Sequence, residues 1–242
     1  MKSVFLYNLM ILLVVTGAHG QGWDTRMDTA PATFLWVWEY PQDMRFVGGT
    51  AGIAYLARTV YVKGDQVVVR PRMQKLLVDP KTRMMAVVRI ETERPALSEG
   101  QREKVVEAIL EAAKAKQLEG VQIDFDAKVS ERPFYRLVLQ EVRRKLPDWE
   151  GLSITALASW CMGDNWVKDL PVDEIVPMLF RMGAEKDLVR RDWVGDSVCR
   201  GSLGLSTDEP EVGRPAAKVY WFHPGPWDRT AAEKAINHKW TP

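Results

Sequence analysis

Short apolar runs alternate with polar linkers and amphipathic stretches along most of the chain. Thr33 to Trp38 (TFLWVW) is a buried-strand pattern, and Gly52 to Val62 (GIAYLARTVYV) is a second one. Gln66 to Val69 follows the Gly64-Asp65 turn as a short ribbon, and Met85 to Ile90 (MAVVRI) is a strand that ends in charge. Ser98 is placed as an N-cap, after which Val105, Val106, Ile109, Leu110 and Ala113 recur at helical spacing up to about Lys116. Val121 to Phe125 reads as a strand. Glu131 to Lys145 reads as a helix with Phe134, Leu137, Val138, Glu141 and Val142 on successive turns, stopped by Pro147. Leu152 to Ala158 (LSITALA), Gly204 to Ser206 and Lys218 to Phe222 are further strands, and Thr230 to His238 is a last helix. Glu174 to Phe180 fits helix or strand, with Pro177 arguing against a helix interior.

Strands alternating with helices imply βα units and a parallel sheet, with roughly seven to eight strands. Two architectures compete, a (β/α)8 barrel and a doubly wound sheet. The doubly wound fold needs a Gly-rich turn after its first strand, and Glu39-Tyr40-Pro41-Gln42-Asp43 is not one. The α/β barrel is therefore expected. Its helices are few and uneven, so it should be small and irregular.

The start of the chain follows a different pattern. Lys2 precedes an apolar run from Val4 to Val15, and Ala18-His19-Gly20 places small residues where a signal peptidase reads. Residues 1–20 are expected to be a secretory signal, with an uncleaved anchor helix as the alternative; the run is short for a bilayer of roughly 30 Å. Residues 21–32 are polar, contain Pro31 and read as a flexible lead-in, leaving 33–242 as a single barrel domain. The mature protein is expected to be periplasmic or secreted, without a stable membrane anchor and monomeric. The composition agrees with a globular domain: 242 residues, 46% hydrophobic, with Lys+Arg 33 against Asp+Glu 32. That charge balance argues against nucleic acid as a partner.

Export changes the reading of Cys161 and Cys199. In an oxidising compartment such a pair is most simply a disulfide, which could contribute roughly 4 kcal/mol. A thiol nucleophile served by His223 or His238 is the rival, and two Cys with two His in no ligand-like spacing make a poor zinc site. No metal and no cofactor are expected.

Polar residues follow the apolar runs directly: Glu39 after Trp38, Arg89 and Glu91 around Ile90, Ser159 before Trp160, Arg181 after Phe180, Asp208 and Glu209 after Ser206, and His223 after Trp221-Phe222. In a barrel these strand ends share one rim, the active-site face. Within Val121-Gln122-Ile123-Asp124-Phe125-Asp126, alternate residues point to one face. Gln122, Asp124 and Asp126 should step up the barrel interior while Val121, Ile123 and Phe125 face the helices. Asp124 and Asp126 would start roughly 6–7 Å apart. Carboxylates that close repel in a partly dry site, so one should hold a proton near neutral pH, as a general acid must. A structural, hydrogen-bonded carboxylate pair is the competing interpretation. Asp124, deeper on the strand, should be the better buried and more hydrogen-bonded of the two.

The stretch Glu119-Gly120-Val121-Gln122-Ile123-Asp124-Phe125-Asp126 resembles the strand-four signature of chitinase-like family 18 glycoside hydrolases, D-G-x-D-x-D-x-E. The stretches VQIDFDA, LSITALASWC, LPVDEIVPMLFRMG and GLSTDEP are similar to an uncharacterised bacterial family, domain of unknown function family 3142. The glycosidase resemblance implies that Asp124 stands where an aspartate orients the substrate's acetamido group and Asp126 where a glutamate donates the proton. The acid is then shorter by one methylene, on the order of 1.5 Å, and a misplacement of about 1 Å can cost roughly 100-fold. Asp208 or Glu209 could supply a second carboxylate from the opposite rim. Ten Trp against seven Phe and six Tyr suit a sugar ligand, whose apolar face stacks on flat aromatics. Trp38, Trp160 and Trp221 are the expected stacking residues, whereas Trp36 and Trp193 suit core packing. Glu39, Gln122 and His223 are expected to take hydroxyls. Arg89 and Arg181 could bind an acidic sugar or orient Asp124. The expected function is an exported glycoside hydrolase acting on an amino-sugar or other envelope glycan. The alternatives are a non-catalytic glycan-binding barrel and an envelope interaction scaffold.

Overall fold

The computed structural model describes residues 26–183, 186–187, 189, 193, 196–211 and 215–239. The expected signal peptide, residues 1–20, lies outside them. Eight parallel strands form a closed barrel: β1 (Thr33–Val37), β2 (Gly52–Lys63), β3 (Arg83–Glu93), β4 (Leu118–Asp124), β5 (Gly151–Leu157), β6 (Glu174–Met178), β7 (Ser202–Ser206) and β8 (Lys218–Phe222). They neighbour one another in chain order, and β1 closes the ring by pairing with both β2 and β8. Helices α1 (Glu99–Ala113), α2 (Arg132–Lys145) and α3 (Arg229–Ile236) are among those outside the strands. The small, irregular α/β barrel expected from the sequence is the observed architecture. The ambiguous 174–180 run is a strand, in keeping with Pro177.

Local chemistry explains the boundaries. Ser98 caps α1 in a capping box, its hydroxyl accepting from the Gln101 amide while the Gln101 side chain accepts from the Ser98 amide. Helix α2 buries Phe134, Tyr135, Val138, Leu139 and Val142. Leu137, expected on that face, is 46% exposed, because the buried stripe is carried by positions 135, 138, 139 and 142 instead.

The barrel interior is unusually polar for a fold whose lumen is commonly filled by branched apolar residues. On β5 the order LSITALA sends Leu152, Ile154 and Ala156 to the helix-side core and leaves Ser153 and Thr155 to hydrogen-bond inside. Strands β4 and β5 approach so closely at the base that a Cβ on Gly120 would lie 2.3 Å from the Gly151 carbonyl oxygen. Met27, in a 3-10 turn at Arg26–Thr29, plugs this end of the barrel.

One strand pair outgrows the barrel. Strand β1 meets β2 only over Gly52–Tyr55, but β2 continues to Lys63 beside β3, which continues to Glu93. The segment Gln66–Pro71 turns back and pairs antiparallel with Arg58–Lys63. A three-stranded wall thus rises above the mouth on one side. An irregularity between Leu56 and Arg58 makes Ala57 an extra residue. It reverses the strand's alternation, so Val60 and Val62 bury in the core that includes α1 while Thr59 and Tyr61 face the mouth.

Candidate functional site

The C-terminal strand ends open onto a cleft of about 780 Å³. Asp124, Asp126, Trp38, Glu39, Arg89, Arg181 and His223 line it. Trp36, Tyr40, Tyr61, Phe180 and Phe222 add an aromatic lining. Phe180 and Phe222 stack at 5.2 Å, with Trp36 6.1 Å from Phe180.

Asp124 is the last residue of β4 and is buried. Thr155 Oγ1 donates to its Oδ1 at 2.8 Å, and Arg89 Nη1 lies 3.8 Å from its Oδ2. Burial pushes its carboxyl up to about 6, with the Asp126 charge adding to the rise and Arg89 and Thr155 opposing it. Asp126, two residues on, has left the strand and stands exposed at the mouth. Partial desolvation pushes its carboxyl up as well, against the pull of Arg89. The expected layering of the pair is therefore present. The large rise falls on Asp124, because desolvation outweighs the repulsion between the two charges.

Gln122 does not reach the cleft. It is fully buried one layer below, accepting from Trp36 Nε1 at 2.7 Å and donating to Ser153 Oγ at 3.0 Å. Ser153 in turn donates to Glu174 Oε2 at 2.7 Å. The same carboxylate accepts from Tyr220 OH at 2.7 Å and from Ser202 Oγ at 2.6 Å, with Lys218 Nζ at 3.6 Å. Glu174 is thus the acceptor on which these bonds converge, and the amide of Gln122 passes its polarity to Trp36, the floor of the cleft. On β7, Gly204 makes room for that indole: an added Cβ would sit 2.8 Å from Trp36 Cη2. Sequence reading passed over Glu174 because it opens a run that is otherwise apolar. Glu174→Gln must turn an amide NH2 toward either the Ser153–Tyr220 donors or the Ser202–Lys218 donors. A loss of about 2 kcal/mol is expected in chemical denaturation, together with a change in the near-ultraviolet dichroism of the tryptophans.

Three expectations about the rim need correction. Trp160 is buried outside the barrel, edge-on to Trp166 at 4.9 Å with Arg132 over its ring. The strand stops at Leu157, and a 3-10 turn over Ala158–Cys161 ends the alternation that would have brought it inward. Trp221 faces the helix layer, 5.1 Å from the His238 ring, because Tyr220 and Phe222 occupy the inward positions of β8. Arg181 does not orient Asp124. Its guanidinium pairs with Asp208 at 2.7 Å and Glu209 at 2.8 Å, so its charge is taken up on the rim. Arg89 is the cation beside Asp124, held also by Glu91 at 2.9 Å and lying 5.6 Å over Trp38.

Glu39 works on the chain itself, accepting from the backbone amides of Met73 and Gln74 at 2.8 and 3.1 Å. Arg72, which the sequence did not single out, donates to the carbonyls of Trp38 and Tyr40 and fixes the end of β1. His223 Nδ1 is 2.6 Å from Thr207 Oγ1. Cys161 and Cys199 form the expected disulfide, with Cα atoms 6.0 Å apart, which removes both from nucleophilic or zinc chemistry. No group of His, Cys, Asp and Glu among the described residues is arranged to hold a metal ion, and no helix there is long and apolar enough to cross a membrane.

Comparison with known proteins adds little beyond this geometry. No curated protein sequence matches the chain. Among solved structures, the Bacillus cereus spore cortex-lytic enzyme SleL is similar with a TM-score of 0.46 and 15% identity, over 77% of this chain. The chain spans about half of that protein, 55% of its length. Residues 79–176, which include VQIDFDA, LSITALASWC and the start of LPVDEIVPMLFRMG, match the model of the family described as Domain of unknown function (DUF3142).

Proposed function

We propose that this barrel is an exported glycoside hydrolase acting on an amino-sugar or other envelope glycan. The observation that carries the reading is the Asp124–Asp126 pair, one carboxyl pinned and buried, the other free at the mouth, at the base of a cleft with aromatic walls. The disulfide suits an oxidising compartment and so supports export.

In this reading Trp38, Tyr40 and Phe222 carry the apolar faces of sugar rings. Asp126 donates its proton to the glycosidic oxygen as the bond from that oxygen to the sugar carbon breaks. Asp124 holds the single proton of the pair in the free protein and passes it to Asp126 as the acetamido N–H of the substrate comes to donate to the Asp124 carboxylate. Water then takes the sugar carbon and returns a proton to Asp126. Turnover is expected to fall as pH rises past about 6, where the pair loses its shared proton.

Non-catalytic glycan binding is the second reading, favoured by the shorter side chain of Asp126 where the resembled glycosidases carry Glu. A panel of aryl glycosides and natural oligosaccharides, with turnover and binding measured in parallel on the mature protein, separates the two. Hydrolysis supports the first, and binding without turnover selects the second. The absence of both would remove the glycan assignment.

A further inference from the structure

The three-stranded wall above the mouth is longer than a pocket for one sugar requires. From Tyr55, the last β2 residue paired to β1, to Lys63 the strand climbs about 26 Å at roughly 3.3 Å per residue. Its two faces differ in chemistry. The outer face buries Val60, Val62 and Ile90 in the core with α1. Gln101, from the start of α1, donates to the carbonyls of Gly64 and Gln66 at 2.9 and 3.3 Å and so ties down the turn at the wall's far end.

The inner face is unfilled. Thr59 and Tyr61 stand beside Arg89 and Glu91 of β3, and all four line the cleft. Directly opposed residues of an antiparallel pair share a face, so Arg70 lies beside Thr59 and Val68 beside Tyr61. Val68 is 54% exposed, an apolar side chain on a solvent-facing strand next to an aromatic ring. The reversal at Ala57 puts Tyr61 here instead of under α1, while the valines that α1 needs go outward. Bulges that re-aim side chains are enriched next to active sites.

We propose that the inner face of this wall, with Tyr61, Val68 and Arg70, is an extended subsite that holds a linear glycan chain leaving the cleft, so that the ligand is a polymer and not a mono- or disaccharide. The inference rests on the glycan reading of the cleft and extends it. Tyr61 and Val68 supply an apolar track for sugar faces, Arg70, whose guanidinium lies 3.9 Å from Glu39, supplies donors for hydroxyls, and α1 holds the track rigid. Among the described residues of the opposite rim, β7 ends at Ser206 and β8 at Phe222, without a comparable strand extension.

Calorimetric titration of the mature protein with chitobiose and chitohexaose, and with cellobiose and cellohexaose, tests it. In the series that binds, the hexamer is expected to bind about tenfold more tightly than the dimer. Val68→Asp, at an exposed position outside the cleft lining, should remove most of that difference and leave the dimer within about twofold of wild type. Tyr61→Ala should weaken the hexamer by a larger factor than the dimer. Equal affinity for dimer and hexamer in the wild type would overturn the wall subsite and leave the cleft reading standing. So would variants that leave the hexamer unchanged, or that weaken dimer and hexamer alike. No binding by any of the four sugars would overturn the glycan reading and this inference together.

Discussion

Asp126→Asn is expected to lower turnover of a glycoside substrate by roughly 10²- to 10⁴-fold, the usual contribution of a positioned general acid. The substitution keeps the size of the side chain and removes the proton. No described residue hydrogen-bonds the Asp126 carboxylate, and the residue is exposed, so the folded state should lose little. Binding of the same substrate should change by far less than turnover, since the aromatic walls that carry the sugar are untouched. The measurement is kcat and KM for wild type and variant on the natural oligosaccharide and on aryl glycosides, with affinity for the oligosaccharide in parallel. A kcat within about threefold of wild type on the natural oligosaccharide would remove Asp126 from the mechanism. A leaving group of low pKa needs less protonation, so the defect should shrink for activated aryl glycosides and be largest for the natural linkage. That gradient distinguishes loss of an acid from a displaced substrate, which would slow both alike.

The parts of this site that were legible in the sequence are those governed by strand alternation. In VQIDFDA the period of two places Asp124 inside and Val121, Ile123 and Phe125 outside, and the structure shows that arrangement. The N-cap of α1 and the closing disulfide were readable for the same kind of reason, since each depends on residue chemistry that is local or on a pair with no competitors. The misplacement of Trp160 falls where that period ends, since it follows the end of β5. Tyr61, which the sequence did not single out, lies beyond the extra residue at Ala57, where a count from the start of the strand would assign the wrong face. Trp221 was misassigned although β8 is regular, because its inward set is fixed by Tyr220 and Phe222 stacking on residues of β1 and β6–β7, contacts far away in the chain. Charge pairing was equally hidden. Arg181 finds Asp208 and Glu209 only because the ends of β6 and β7 meet at the rim. Glu174 gathers Ser153, Ser202, Lys218 and Tyr220 from three different strands, and no spacing within the chain announces a hub of that kind.

Asp124→Asn is expected to stabilise the protein at neutral pH while impairing its activity. The folded carboxyl titrates at about 6 against an ordinary value of 3.8, chiefly because burial disfavours its charge. Between those two values the folded state holds a proton that the unfolded chain has already released. Stability is therefore lost as pH rises through this window, and the loss is complete above about 6. The shift, which already includes the opposing pull of Arg89, corresponds to at most about 3 kcal/mol at pH 7.5. An Asn at this position carries no charge at any pH, and its carbonyl can still accept from Thr155. Thermal melts should place Asp124→Asn above wild type at pH 7.5, by no more than roughly 6–12 °C at the scale of about 2–4 °C per kcal/mol for a chain of this size, and much closer to it at pH 4.5. A variant that melts below wild type equally at both pH values would show that the carboxylate is structural and that its burial is compensated by partners in the fold. The expected pattern would instead mark Asp124 as a group kept at a cost to stability, as is common where side chains serve a reaction. The same desolvation would then account for both the weakness of the fold at neutral pH and the acidic range in which the pair can carry its proton.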